Sequence, residues 1–127
     1  MKKLFGAAVI LAMTSGIYVP QVEAGNVAQS ICGYVQSDHK SRLRDQLRAN
    51  KIKLKRIYSG LTCNNSSLLR FAMLNDADNA GAFIAKRLSV KLLSGAEPDG
   101  KTILQWASEN GKDASGTVKA IRKRMKI

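Results

Sequence analysis

Residues 64–87 read NNSSLLRFAMLNDADNAGAFIAKR, and residues 99–122 read DGKTILQWASENGKDASGTVKAIR. A shift of 35 residues superimposes the two stretches, with several identities and apolar residues mostly opposite apolar ones. The aligned positions are Leu68, Leu69, Phe71, Ala72, Asn75, Asp78, Gly81, Phe83 and Arg87 on Ile103, Leu104, Trp106, Ala107, Asn110, Asp113, Gly116, Val118 and Arg122. Each stretch reads as a short helix, a tight turn and a longer helix. Self-similarity at a period of this size is typical of repeat proteins.

The remaining chain follows a similar outline. Apolar residues at helical spacing predict a helix from Asn26 to about Gln36, and a second helix carries Leu43 and Leu47. The alternating residues 51–55 predict extended chain. The sequence therefore predicts an all-α fold, a short stack of helix-turn-helix repeats, in one domain over residues 25–127. The approximate repeats are 26–60, 61–97 and 98–127.

The third repeat resembles the ankyrin family. Its residues 99–104, followed by Ala107 and Gly111, resemble the ankyrin pattern D-G-x-T-x-L-x-x-A-x-x-x-G, without the usual Pro-Leu-His after the threonine. In the second repeat Asn64-Asn65 stands in place of Asp-Gly, and Asp76 approximates the glycine position. The first repeat lacks the loop motif. The open alternative is an ordinary small α-helical domain whose helix pairs are alike by chance.

The chain also resembles a small exported gammaproteobacterial family of unknown function. The matching stretches are residues 31–35, 40–44, 60–64 and 67–72. This resemblance implies export and pairs Cys32 with Cys63, but it implies no activity.

Residues 1–24 have the form of a signal peptide. Lys2-Lys3 precedes an apolar run, and a small-residue stretch ends at Ala24. We expect cleavage after Ala24 and a periplasmic location, with secretion possible. A membrane anchor is the alternative, but the apolar run is about half the roughly 20 residues that a spanning helix needs.

Two cysteines in a small exported domain favour a disulfide between Cys32 and Cys63. The alternative is a pair of separate buried thiols. Together with the distant His39 they do not form a set of metal ligands with the usual spacing. No metal and no cofactor are predicted.

Positive charge is the strongest functional signal. The chain has 21 Lys+Arg and 9 Asp+Glu, and loss of Lys2, Lys3 and Glu23 with the signal peptide would leave 19 against 8, a net charge of +11. Residues 40–56 hold eight of the basic residues and one acid, Asp45. The charge predicts an anionic partner. In the ankyrin family the loop tips and first helices face the partner, so that resemblance implies Lys53, Lys55, Arg56, Tyr58 and Arg70 as further candidates. The candidate binding residues are Lys40, Arg44, Arg48, Lys53, Lys55, Arg56, Tyr58 and Arg70. Packing in the core is the alternative role for Tyr58, and we expect it for Trp106.

No set of residues indicates catalysis, so no catalytic residue is predicted. The hypothesis is a non-enzymatic periplasmic interaction module whose basic surface recognises an acidic protein partner. The alternatives are a cationic envelope-associated protein that binds anionic lipid or lipopolysaccharide, and a basic surface that serves only solubility. Nucleic acid is disfavoured by the exported location. The sequence does not predict an oligomeric state.

Overall fold

The computed structural model describes the backbone of residues 15–127 and the side chains of residues 26–127. The predicted signal peptide lies largely outside the described residues. Eight α-helices dominate the described part: α1 Ser15–Gln36, α2 Lys40–Ala49, α3 Leu54–Ile57, α4 Leu68–Leu74, α5 Asp78–Arg87, α6 Val90–Ser94, α7 Ile103–Glu109 and α8 Gly116–Met125. A 3-10 turn follows α3 at Tyr58–Gly60, and the antiparallel strands β1 Thr62–Cys63 and β2 Ser66–Ser67 form a small hairpin. The all-α prediction is confirmed.

The helix pairs α1–α2, α4–α5 and α7–α8 are joined by the same turn. Its central residue has positive φ in each pair: Asp38 at 57°, Asp76 at 52° and Gly111 at 70°. The next residue donates its N–H to the carbonyl five positions earlier, at 2.8 Å in all three turns. This is the Schellman arrangement, which favours glycine and tolerates aspartate or asparagine better than most other side chains. Asp76 thus has the conformation of Gly111, as the alignment suggested.

The later helices begin where local chemistry predicts. Thr102 accepts a hydrogen bond from the N–H of Gln105, and Ser115 accepts one from the N–H of Val118, each at 3.1 Å. These side chains satisfy amides that have no partner within the first turn of their helices. The sequence predicts both starts, since Thr102 precedes the apolar residues of one helix and Ser115 those of the last, and both are confirmed.

Aspartates also connect neighbouring helix pairs. Asp38, in the first turn, accepts a hydrogen bond from the N–H of Ala80 in α5 at 2.7 Å. Asp78, in α5, accepts one from the N–H of Thr117 in α8 at 3.2 Å. A carboxylate at the start of a helix satisfies free amides and is favoured by the helix dipole. Each of these carboxylates therefore fixes where the next pair's second helix begins.

Two glycines related by the repeat allow α5 and α8 to pack closely. A Cβ atom on Gly81 would lie 2.0 Å from Oγ1 of Thr117, and one on Gly116 would lie 2.9 Å from Cβ of Asp78. Both distances are shorter than side-chain atoms tolerate. The 35-residue repeat thus places a residue without a side chain on each of the two facing helices.

A single hydrophobic core runs through all three helix pairs. Its fully buried residues include Leu43, Leu68, Ile84, Ile103 and Ile121. Since a lone helix pair cannot bury its apolar face on both sides, this continuous packing is what stabilises the array.

Three local predictions were wrong or incomplete. Within the described residues helix α1 spans Ser15–Gln36, so it extends to the N-terminal side of the predicted start at Asn26. Residues 54–57 form a helical turn, with only Leu54 of that turn fully buried, in place of extended chain. The β1–β2 hairpin was missed; Asn64 and Asn65, both at positive φ, form its two-residue turn.

Candidate functional site

Two adjoining depressions of about 330 and 320 Å³ lie between α2, α3 and α5 and share Arg44 and Arg87. Their floor is partly apolar, with Leu47 and Leu54 in one and Phe83 in the other. We call the two together the basic groove. Seven cationic side chains line it: Lys40, Arg44, Arg48, Lys53, Lys55, Lys86 and Arg87.

Helix α2 supplies the first wall. Its buried residues, Leu43 and Leu47, hold one face against the core. Lys40, Arg44 and Arg48 follow one another at intervals of four residues, which places them on one face at a spacing of about 6 Å. The local sequence therefore sets a regular row of charges along one edge of the groove.

Helix α5 supplies the opposite wall. Lys86 and Arg87 occupy its last turn, where cations also interact favourably with the helix dipole. The guanidinium of Arg87 lies over the ring of Phe83, with Cζ 3.9 Å from the ring centroid. This cation–π contact orients the guanidinium and leaves its hydrogen-bond donors available.

The charge of the basic groove is not neutralised by neighbouring acids. None of its seven cations forms an ion pair with any Asp or Glu whose side chain the structure describes, that is, within residues 26–127. A concave surface lined by one sign of charge strengthens the local potential and attracts counter-ions. The groove is therefore arranged to receive an anion.

The structure brings together five of the eight candidate binding residues in the basic groove: Lys40, Arg44, Arg48, Lys53 and Lys55. Arg56 is exposed on α3 but does not line either depression. Lys86 and Arg87 were missed. Their adjacent charges were visible in the sequence, but their place opposite α2 depends on tertiary packing.

Arg70 lies elsewhere, between two acids. Its Nη1 and Nη2 atoms donate to Oδ2 and Oδ1 of Asp99 at 2.7 and 2.9 Å, and Nε lies 2.7 Å from Oε1 of Glu97. Glu97 also accepts hydrogen bonds from the Tyr58 hydroxyl at 2.7 Å and the Ser67 hydroxyl at 2.9 Å. We call these five residues the Arg70 cluster. It ties the loop after α6 to α4, the hairpin and the 3-10 turn.

The environment of the Arg70 cluster shifts several pKa values. Hydrogen bonds from Arg70 and from the Lys101 amide hold the pKa of Asp99 well below its usual range. Burial and the nearby charge of Glu97 raise the pKa of Tyr58 well above its usual value. Tyr58 is 4% exposed, and Arg70 stacks over Trp106 with Cζ 5.3 Å from the ring centroid. Trp106 is half-buried at the edge of the core, less deeply than predicted.

The predicted disulfide is present. Cys32 in α1 is bonded to Cys63 in β1, with an S–S distance of 2.03 Å and a Cα–Cα distance of 5.7 Å. The bond fixes the hairpin to the first helix. No free cysteine occurs in the described part of the chain.

Taken together, the molecule is an all-α domain with a disulfide and a basic groove. Residues 31–96, just over half of the 127-residue chain, match the family described as "Protein of unknown function (DUF3718)". The chain belongs to this family. No curated protein and no solved structure matches it. Among helices of residues 15–127, none combines the length and apolar character needed to cross a bilayer.

Proposed function

We propose that the protein is a non-enzymatic periplasmic binding module whose basic groove recognises an acidic protein partner. The observation that carries the proposal is the convergence of seven cations from α2, α5, α3 and the residue before α3 on one concave surface, without an acid among residues 26–127 paired to them. Burying a partner's carboxylates there would give charge-assisted hydrogen bonds, which are stronger than those between neutral groups.

The helix pairs support a repeat-type binding module. Three pairs share one turn geometry, and a 35-residue repeat relates the second to the third. We propose that they form a divergent ankyrin-like array of the kind that presents an extended concave surface to another protein. The periplasmic location is supported by the signal-peptide-like residues 1–24 and by the disulfide, since disulfides persist in oxidising compartments.

The shape of the groove favours a protein segment over a membrane surface. Leu47, Leu54 and Phe83 also line the depressions but are at most 6% exposed, so the accessible lining is mainly cationic. A flat layer of lipid headgroups would meet the two walls and leave the concave surface between them uncovered. A polypeptide segment can enter the groove and place carboxylates against cations of both walls.

The proposal is tested with two matched double variants. Arg44→Gln with Arg87→Gln removes the two arginines that both depressions share. Arg42→Gln with Arg56→Gln removes the same charge from exposed arginines outside the groove, one of them on α2. The wild type and both variants are immobilised, exposed to a detergent-solubilised envelope extract, and washed with rising salt. We expect a discrete acidic protein on the wild type and the control, and its loss from the groove variant.

Vesicles containing phosphatidylglycerol, and purified lipopolysaccharide, give the competing result. If they bind all three proteins, if the two variants weaken binding equally, and if no discrete protein is retained, the protein is a cationic envelope binder and the proposal is wrong. Salt separates the mechanisms further, because at 1 M the Debye length is about 3 Å and pure charge attraction is screened. A partner that stays bound through that wash is held by more than charge attraction.

A further inference from the structure

We infer that the basic groove takes an extended acidic segment in which carboxylates occupy alternate positions. This inference rests on the proposed function and names the register of its ligand. It follows from the spacing of the cations along α2 and from the hydrogen-bond donors that the arginines of both walls present.

The row of charges on α2 sets the spacing. Lys40, Arg44 and Arg48 rise along the helix by about 6 Å per step, or about 12 Å in total. In an extended chain, side chains on the same face recur every two residues, at about 6.6–6.8 Å. Four residues of strand therefore span the row with a mismatch of about 1.5 Å, which long flexible side chains absorb. A carboxylate at every second position would meet one cation after another.

Contiguous acids would match the groove less well. Successive side chains of an extended segment point to opposite faces. Half of the carboxylates in an uninterrupted acidic run would then point away from the groove and meet no cation there. In the alternating pattern every carboxylate faces the groove, although the composition of the segment is the same.

The arginines favour an extended segment over a helix. Arg44, Arg48 and Arg87 each carry five N–H donors, more than a row of single carboxylates can satisfy. An extended segment leaves its backbone carbonyls free to accept from these donors, whereas a helix has already bonded most of its own.

The test uses synthetic peptides of equal length, charge and composition. The first carries four glutamates at every second position, the second carries the four in one run, and the third carries them four residues apart in a helix-forming sequence. Each is titrated into the purified full chain at low salt, by calorimetry or fluorescence anisotropy. We expect the alternating peptide to bind about tenfold more tightly than the other two.

The groove and control variants complete the experiment. Arg44→Gln with Arg87→Gln should abolish the tenfold preference, and Arg42→Gln with Arg56→Gln should retain it. If all three peptides bind the wild type equally and lose affinity only in the groove variant, the register is wrong while the groove function stands. Tighter binding of the helical peptide overturns the extended conformation. If no peptide binds, both the register and the recognition of acidic polypeptides fail.

Discussion

The basic groove and the Arg70 cluster use cations in opposite ways. In the groove seven cations face one another without an acid paired to them within residues 26–127. In the cluster one arginine, with a side chain 11% exposed, is held by two carboxylates and an aromatic ring. The cations of the groove remain available to a partner. Arg70 is instead engaged by acids of the protein itself.

This contrast separates stability from recognition. A cation held by two carboxylates of the protein itself, as Arg70 is, stabilises the fold but has little left for a partner. Cations without a partner repel one another, and a bound anion relieves that repulsion. Variants of the Arg70 cluster should therefore change the free energy of unfolding, and variants of the groove should change affinity.

Removing the disulfide is expected to destabilise the whole fold, and with it both the basic groove and the Arg70 cluster. Cys32→Ala with Cys63→Ala should lower the free energy of unfolding by about 3–4 kcal/mol, because the bond closes a loop of about 30 residues in the unfolded chain. Urea unfolding followed by circular dichroism measures the change. A fall in unfolding free energy of less than about 1 kcal/mol would show that the bond removes little entropy from the unfolded chain.

Glu97→Ala should break the Arg70 cluster and leave the groove intact. We expect a loss of about 3 kcal/mol in unfolding free energy, because Arg70 and the buried Tyr58 hydroxyl lose an acceptor. The control is Glu109→Ala, which removes an ion pair with Lys101 whose side chains are more than 40% exposed. Exposed pairs of this kind are screened by solvent and contribute little to stability.

The same Glu97→Ala protein should bind the alternating peptide with unchanged affinity at a temperature where it is folded. A parallel loss of affinity would mean that the two regions are not independent, and would remove the distinction drawn between them.

An acid introduced into the groove should pair with a groove cation, as the acids of the Arg70 cluster pair with Arg70. Ala82→Glu places a carboxylate on α5 four residues before Lys86, within the groove lining. We expect peptide affinity to fall about tenfold, while the unfolding free energy changes by less than about 0.5 kcal/mol, the size of an i,i+4 ion pair. Ala114→Glu, at an exposed position outside the groove, is the control. Equal affinities in the two variants would contradict the role of the groove.

The smallest change, Tyr58→Phe, removes one hydrogen bond of the cluster. At neutral pH it should cost about 1 kcal/mol. The raised pKa of Tyr58 adds a pH dependence: the folded state keeps a proton that the unfolded chain loses above about pH 10. Stability from this group is thus complete below pH 10 and declines above it.

Wild type should therefore lose stability above pH 10 more steeply than Tyr58→Phe, by up to about 1.4 kcal/mol per pH unit. Urea midpoints at several pH values, with Tyr34→Phe as the control for a half-buried tyrosine, measure the difference. Identical slopes for wild type and Tyr58→Phe would show that the hydroxyl is not protected in the fold.

Local chemistry explains what could be predicted from the sequence. The capping residues Thr102 and Ser115 and the residues that break α4 act within a few positions of themselves, so they identify helix ends without knowledge of the fold. The row Lys40, Arg44 and Arg48 is likewise a property of one helix. These features are recovered in the structure.

The rest depends on contacts between distant residues. Arg70 was a candidate for binding because its charge is visible, but its acceptors lie 27 and 29 positions later in a segment that reads as a simple turn. Lys86 and Arg87 face α2 only because α5 packs against it. Spacing along the chain cannot distinguish an ion-paired cation from one without a paired acid, because the acids that make the difference are distant in the sequence.

The disulfide also gives the groove an unusual topology. Helices α2 and α3 lie wholly between Cys32 and Cys63, so one wall of the groove belongs to a covalently closed ring, while α5 lies outside it. A protease that cuts once within residues 33–62 would therefore release no fragment. The nicked molecule would remain one covalent unit, separating into two chains only after reduction, and the cut wall would stay tethered beside α5.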